Sequence, residues 1–147
     1  DAGQVVIFDP LFAKGMALPG PGEPAITISR SYTPVHNIGH FRFLECSRTS
    51  EEGRPTGDIT VWDEVLFPFD PEIEGADLIG MSVQHTEAAR RQTVEESYTI
   101  NGTGTVEVKI SNLTSGYSRT YKLGRWAAKG ETVMPGRKKR MKAEARG

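Results

Sequence analysis

His36 and His40 are the first residues whose types and spacing suggest chemistry, because two imidazoles four residues apart share one face of a helix and can hold a metal ion. Pro34, Asn37 and Gly39 favour a turn or the start of a strand instead, which separates the two rings along an extended chain. No third ligand is apparent, so the sequence predicts loop histidines hydrogen-bonded to backbone and no metal. Cys46 ends an apolar segment with no base beside it, the pattern of a small buried hydrophobe rather than an activated thiol. The acidic neighbours Glu51 and Glu52, Asp63 and Glu64, and Glu95 and Glu96 point opposite ways in extended chain, so they read as solvated surface. Gly102, Thr103 and Gly104 lack the lysine and helix that complete a phosphate loop. With no catalytic set assembled, the expectation is a protein that is not an enzyme.

Charge is distributed unevenly. The 147 residues carry a formal net charge of -1. From Lys122 onward there are nine Lys and Arg against two Glu, whereas residues 1–121 hold nine basic and seventeen acidic side chains. An acidic body is thus followed by a basic tail. Arg137, Lys138, Lys139 and Arg140 form its densest run, suited to an acidic partner, while the lack of interleaved aromatics argues against nucleic acid. The tail, residues 125–147, has no sustained apolar period and is expected to be disordered.

The elements that must position these residues are strands. With 16 glycines and 9 prolines spread along the chain, helices of ordinary length are interrupted, and apolar runs are too short to span a membrane. The pattern around Asn101 and Gly102 is the clearest. Val94, Glu96, Tyr98 and Ile100, then Val106, Val108 and Ile110, recur with period two on either side of a glycine-rich turn, which predicts a hairpin. Tyr117, Tyr121 and Leu123 continue the alternation into a third strand. Residues 4–8, 26–32, 38–46 and 59–67 are β-branched or aromatic and read as further strands. Residues 78–86 suggest another, and residues 87–92 a short helical turn. The predicted fold is all-β, an antiparallel sandwich of seven to eight short strands over residues 1–124. The lone cysteine permits no internal disulfide and fits a reducing, cytoplasmic setting. Asparagines 101 and 112 begin glycosylation-type triplets, which matter only in a secreted chain.

The order of segments resembles the substrate-binding β domain of 70-kDa heat-shock chaperones. The carriers are Leu11-Phe12-Ala13-Lys14-Gly15-Met16-Ala17-Leu18-Pro19, Phe41-Arg42-Phe43-Leu44-Glu45, the stretch from Asp58-Ile59-Thr60 to Phe67-Pro68-Phe69-Asp70-Pro71, and Tyr98-Thr99-Ile100-Asn101-Gly102-Thr103-Gly104-Thr105-Val106-Glu107-Val108. The resemblance implies a groove that holds extended apolar polypeptide segments, with Ile26, Ile28, Tyr32, Val35, His36, Ile38, His40 and Phe41 as its peptide-binding residues. It also implies no cofactor in this chain, with ATP and Mg²⁺ expected only if a nucleotide-binding domain lies upstream, and no helical lid. Asp1 at the start suggests an excised domain. The alternative expectation is a structural or interaction β-sandwich that binds one dedicated protein partner.

Overall fold

The computed structural model describes residues 4–12, 17–52, 55–125 and 134–142. Eight strands run in the order β1 (Gln4–Pro10), β2 (Ile26–Tyr32), β3 (Ile38–Thr49), β4 (Pro55–Pro68), β5 (Val94–Ile100), β6 (Thr105–Asn112), β7 (Ser118–Arg125) and β8 (Met134–Lys142). They form two four-stranded antiparallel sheets, ordered β1-β8-β3-β4 and β2-β5-β6-β7. One short helix, α1 (Glu87–Arg90), begins at Thr86, whose hydroxyl accepts a hydrogen bond from the amide of Ala89 at 3.1 Å. Among the described residues no helix is long and apolar enough to cross a membrane.

Period-two alternation explains why these strands face as they do. In β5 every second residue from Val94 to Ile100 is buried, and in β6 Val106, Val108, Ile110 and Asn112 follow suit. The opposing sheet supplies Phe41 and Phe43 from β3 and Val65 and Phe67 from β4. Phe43 meets Tyr98 edge-on with ring centroids 6.0 Å apart, joining the two layers through aromatic packing. The β5–β6 hairpin is closed by Asn101, whose side-chain oxygen accepts from the amides of Thr103 and Thr105 at 3.0 and 3.1 Å. Gly102 is required there for space, since a Cβ would stand 2.8 Å from the carbonyl oxygen of Pro19.

Glu96 departs from its expected place on the solvated surface. It is fully buried and accepts hydrogen bonds from the hydroxyls of Tyr32 and Tyr98. Alternation put it on the apolar face between Val94 and Tyr98, and that constraint overrides the preference of an isolated carboxylate for water because the tyrosine hydroxyls compensate it. The contact also pins β2 to β5.

Two other expectations change. Residues 78–86 form no strand; their one ladder contact is an isolated bridge between His36 and His85. The basic segment expected to be disordered includes β8, which lies inside its sheet with β1 on one side and β3 on the other. Arg137, Lys138, Lys139 and Arg140 are in register with Asp9, Phe8, Ile7 and Val6 of β1. Local sequence tests only whether a segment holds structure alone, whereas a strand draws its backbone hydrogen bonds from neighbours distant in sequence. Removing residues 134–147 should therefore unpair β1 and one edge of β3. Differential scanning calorimetry is expected to show a loss of at least about 10 °C in Tm; an unchanged Tm would mean that β8 contributes nothing to the sheet.

Candidate functional site

The first requirement of a site is a wall held in place, and Asn37 supplies it. Its side-chain oxygen accepts from the amide of Gln84 at 2.8 Å, and its side-chain nitrogen donates to the carbonyl of Ser82 at 3.1 Å. Its own amide donates to the carbonyl of Gln84 at 2.8 Å, and its carbonyl accepts from the amides of Phe69 and Asp70 at 2.7 and 3.1 Å. One residue at the entrance to β3 thus ties down both ends of the long connection that follows β4. The near end is further fixed by packing. Gly39 leaves room for the Phe69 ring, whose nearest carbon would stand 2.4 Å from a Cβ at that position. Midway, Ser115 donates from its hydroxyl to Glu74 at 2.6 Å, fastening the connection to the β6–β7 turn.

Held this way, residues 75–79 form one side of a cleft of about 630 Å³. Its other sides are His40 of β3, Glu64, Leu66 and Pro68 of β4, and Tyr117, Arg119 and Tyr121 at the start of β7. Each of β4 and β7 ends its sheet, so the cleft lies where two sheet edges approach one another. The β3–β4 register explains its polar corner. His40 is opposite Leu66 and Arg42 opposite Glu64, which makes His40 and Glu64 diagonal neighbours on one face. Glu64 accepts from His40 Nε2 at 2.9 Å and lies 3.5 Å from Arg42 Nε.

The remainder of the cleft combines apolar and aromatic side chains with two charged ones, Asp77 and Arg119. Leu78 is buried, whereas Ile79 is 82% exposed at the rim. Tyr117 packs against Phe67 with ring centroids 5.7 Å apart, and its hydroxyl accepts from Arg119 at 3.4 Å. Burial pushes the Tyr121 phenol above its ordinary pKa of 10.0, an effect that neighbouring Tyr117 reinforces and the Arg119 guanidinium opposes.

Of the eight residues expected to bind peptide, His40 lines this cleft and the other seven do not. Ile38, Phe41 and His36 are 3%, 0% and 6% exposed, so they serve the interior rather than an open groove. Ile26, Ile28 and Tyr32 lie half-buried along β2 and pack against the core. Val35 is half-buried, and its carbonyl accepts from the amide of Thr86 at 3.3 Å. The His36 ring stands edge-on to His85 with centroids 4.6 Å apart, away from His40 in the cleft. Among the described residues no group of three or more His, Cys, Asp or Glu side chains is placed to hold a metal. The side chains of Cys46 and of the basic run 137–140 lie outside the described set. Asn112 is fully buried and caps the β6–β7 turn through the amides of Thr114 and Ser115, both at 2.9 Å.

Glu64, Arg119 and Tyr121 are among the cleft residues that sequence reasoning missed. The sequence alternation placed Tyr117, Tyr121 and Leu123 on one face, but nothing local indicated that this face would meet the end of β4.

No protein-family profile and no curated protein matches the chain. Among solved structures, a scytalido-glutamic peptidase crystallised with a peptide-based transition-state analogue is similar at a TM-score of 0.36 and 8% identity. The match covers 95% of this chain and 64% of that one. That likeness is loose and assigns no activity here. The resemblance to 70-kDa chaperones is corrected by these comparisons: nothing of that family matches, and the similar solved structure is a different β protein. The features that carried it were strands separated by Gly and Pro turns, which antiparallel sandwiches share for reasons of backbone geometry. The expectation of ATP and Mg²⁺ rested on that resemblance alone.

Two measurements test this description. Replacing Asn37 with Ala removes both side-chain bonds from a buried site and should cost about 2–3 kcal/mol in urea unfolding. Hydrogen exchange should quicken first at Gln84; unchanged protection there would show that the connection does not depend on Asn37. For Tyr121, the folded phenol has the higher pKa, so its contribution to stability is full below pH 10.0 and lost as pH rises through the folded value. Absorbance titration at alkaline pH should contain a phenolate component above pH 10.0 which Tyr121→Phe removes. Loss of a component at or below pH 10.0 in that variant would refute the burial.

Proposed function

We propose that this sandwich is a binding module that receives a segment of one dedicated protein partner in the cleft between β4 and β7. The observation that carries the reading is the position of the cleft: about 630 Å³ of partly apolar space bordered by two terminal strands of the sheets. Terminal strands present backbone donors and acceptors along one side, and an extended segment can use them while its side chains fill adjacent space. The exposed Ile79 and the two tyrosines that line the cleft, Tyr117 and Tyr121, offer apolar contact of the kind that interfaces favour. In this reading His40 and Glu64, a close imidazole–carboxylate pair, hold one another at the edge of the cleft. A cytoplasmic setting belongs to this reading, since a chain with a single cysteine has no internal disulfide to lose there.

A photo-crosslinking residue placed at Ile79 in cells should capture one dominant protein, and Leu66→Asp should abolish the product. The same probe at Thr27, exposed on β2 away from the cleft, should not capture it. Equal capture from both positions, or none from Ile79, would refute the cleft as the binding site.

A further inference from the structure

The direction and side-chain order of β7 specify what such a segment must carry; this inference rests on the cleft being the binding site. Among the described residues β7 pairs with β6 and with no other strand, so its outer edge carries no ladder there. Arg119 and Tyr121 are two residues apart, so they lie on the same face of the strand, and both line the cleft. Their chemical needs differ. Tyr121 is half-buried and lines the same cleft as the apolar Leu66 and Ile79. Arg119 is exposed and donates to the Tyr117 hydroxyl, but among the described residues it has no carboxylate within ion-pair distance. The other charges at the cleft are engaged. Glu64 is taken by His40 and Arg42, and Asp77 accepts from the amide of Ile79 at 3.0 Å.

We infer that the cleft recognises an extended segment of a partner protein that adds antiparallel to β7, carrying an aliphatic side chain and, two residues later, an Asp or Glu. The order follows from geometry. In an antiparallel pair the partner's numbering rises as that of β7 falls, so the residue opposite Tyr121 precedes the one opposite Arg119 by two. An aliphatic side chain opposite Tyr121 enters the apolar part of the cleft, and the following carboxylate meets the guanidinium. An internal acidic side chain is specified rather than a chain terminus, because a segment that continues past Arg119 keeps its backbone pairing on both sides of that contact.

The inference is tested by fluorescence anisotropy with the full chain and three labelled ten-residue peptides that differ only at the central positions: Leu-Ser-Glu, Leu-Ser-Lys and Glu-Ser-Leu. The first is expected to bind at least about fivefold more tightly than either other, the scale of one partly exposed ion pair. In Arg119→Glu the preference between the first two should reverse, and in Tyr121→Ser all three should weaken. Equal affinity for Leu-Ser-Glu and Leu-Ser-Lys would overturn the acidic requirement, and equal affinity for Glu-Ser-Leu would overturn the antiparallel register. Absence of binding by all three would overturn the inference as a whole. Crosslinking from Ile79 decides separately on the cleft itself, so the two failures are distinguishable.

Discussion

The hydrogen bonds of Asn37 are the constraint on which the cleft depends. Five bonds converge on this residue, from its backbone and side chain together, and they fasten the start and the end of an irregular connection to the first residues of β3. An irregular segment of that length loses much conformational entropy when it is fixed, and it has no ladder of its own to offset the loss. Asn suits the position because its side chain both donates and accepts, as a backbone amide unit does. Without such a clip residues 75–79 would keep only the Phe69 packing and the Ser115–Glu74 bond to hold them at the cleft.

Around that clip the architecture is governed by aromatic packing. Phe69 meets Phe41 edge-on and packs with Phe67, their centroids 6.2 and 5.9 Å apart, and Phe67 in turn contacts Tyr117 of the opposite sheet. The same chain of rings that closes the sandwich therefore leads to the rim of the cleft. Gly39 is part of this arrangement, because the space of its missing side chain is occupied by Phe69. The interior also contains a polar tie, Glu96 with its two tyrosines, which links β2 to the centre of its sheet. Buried polar groups of this sort favour one register over its neighbours, since a slip of one residue would leave the carboxylate without its hydroxyls.

A cleft at the meeting of two sheet edges joins stability with recognition. The backbone groups that make terminal strands prone to unwanted pairing are those an extended partner needs, and the side chains around them restrict which partner fits. In the proposed binding mode the restriction comes from Tyr121, which asks for apolar contact, and Arg119, which asks for negative charge. His40 and Glu64 satisfy one another and so add polarity without demanding a ligand.

Most of the strands, and the inward faces of β5 and β6, were legible in the sequence. Alternation at Val94 to Ile100 and Val106 to Ile110, with Asn101 able to close the turn, fixed the hairpin and most of one sheet because these are interactions between near neighbours. It did not locate the cleft. His40 was visible as a polar residue near a strand start, but its partner Glu64 lies across the β3–β4 hairpin, and Tyr121 and Arg119 reach the same place from the other sheet. Nor did it place β8, whose basic side chains give no sign of the two strands that flank it. Only tertiary structure decided these points, since pairing between distant strands depends on backbone hydrogen bonds that every sequence can offer and on a register that no local pattern contains.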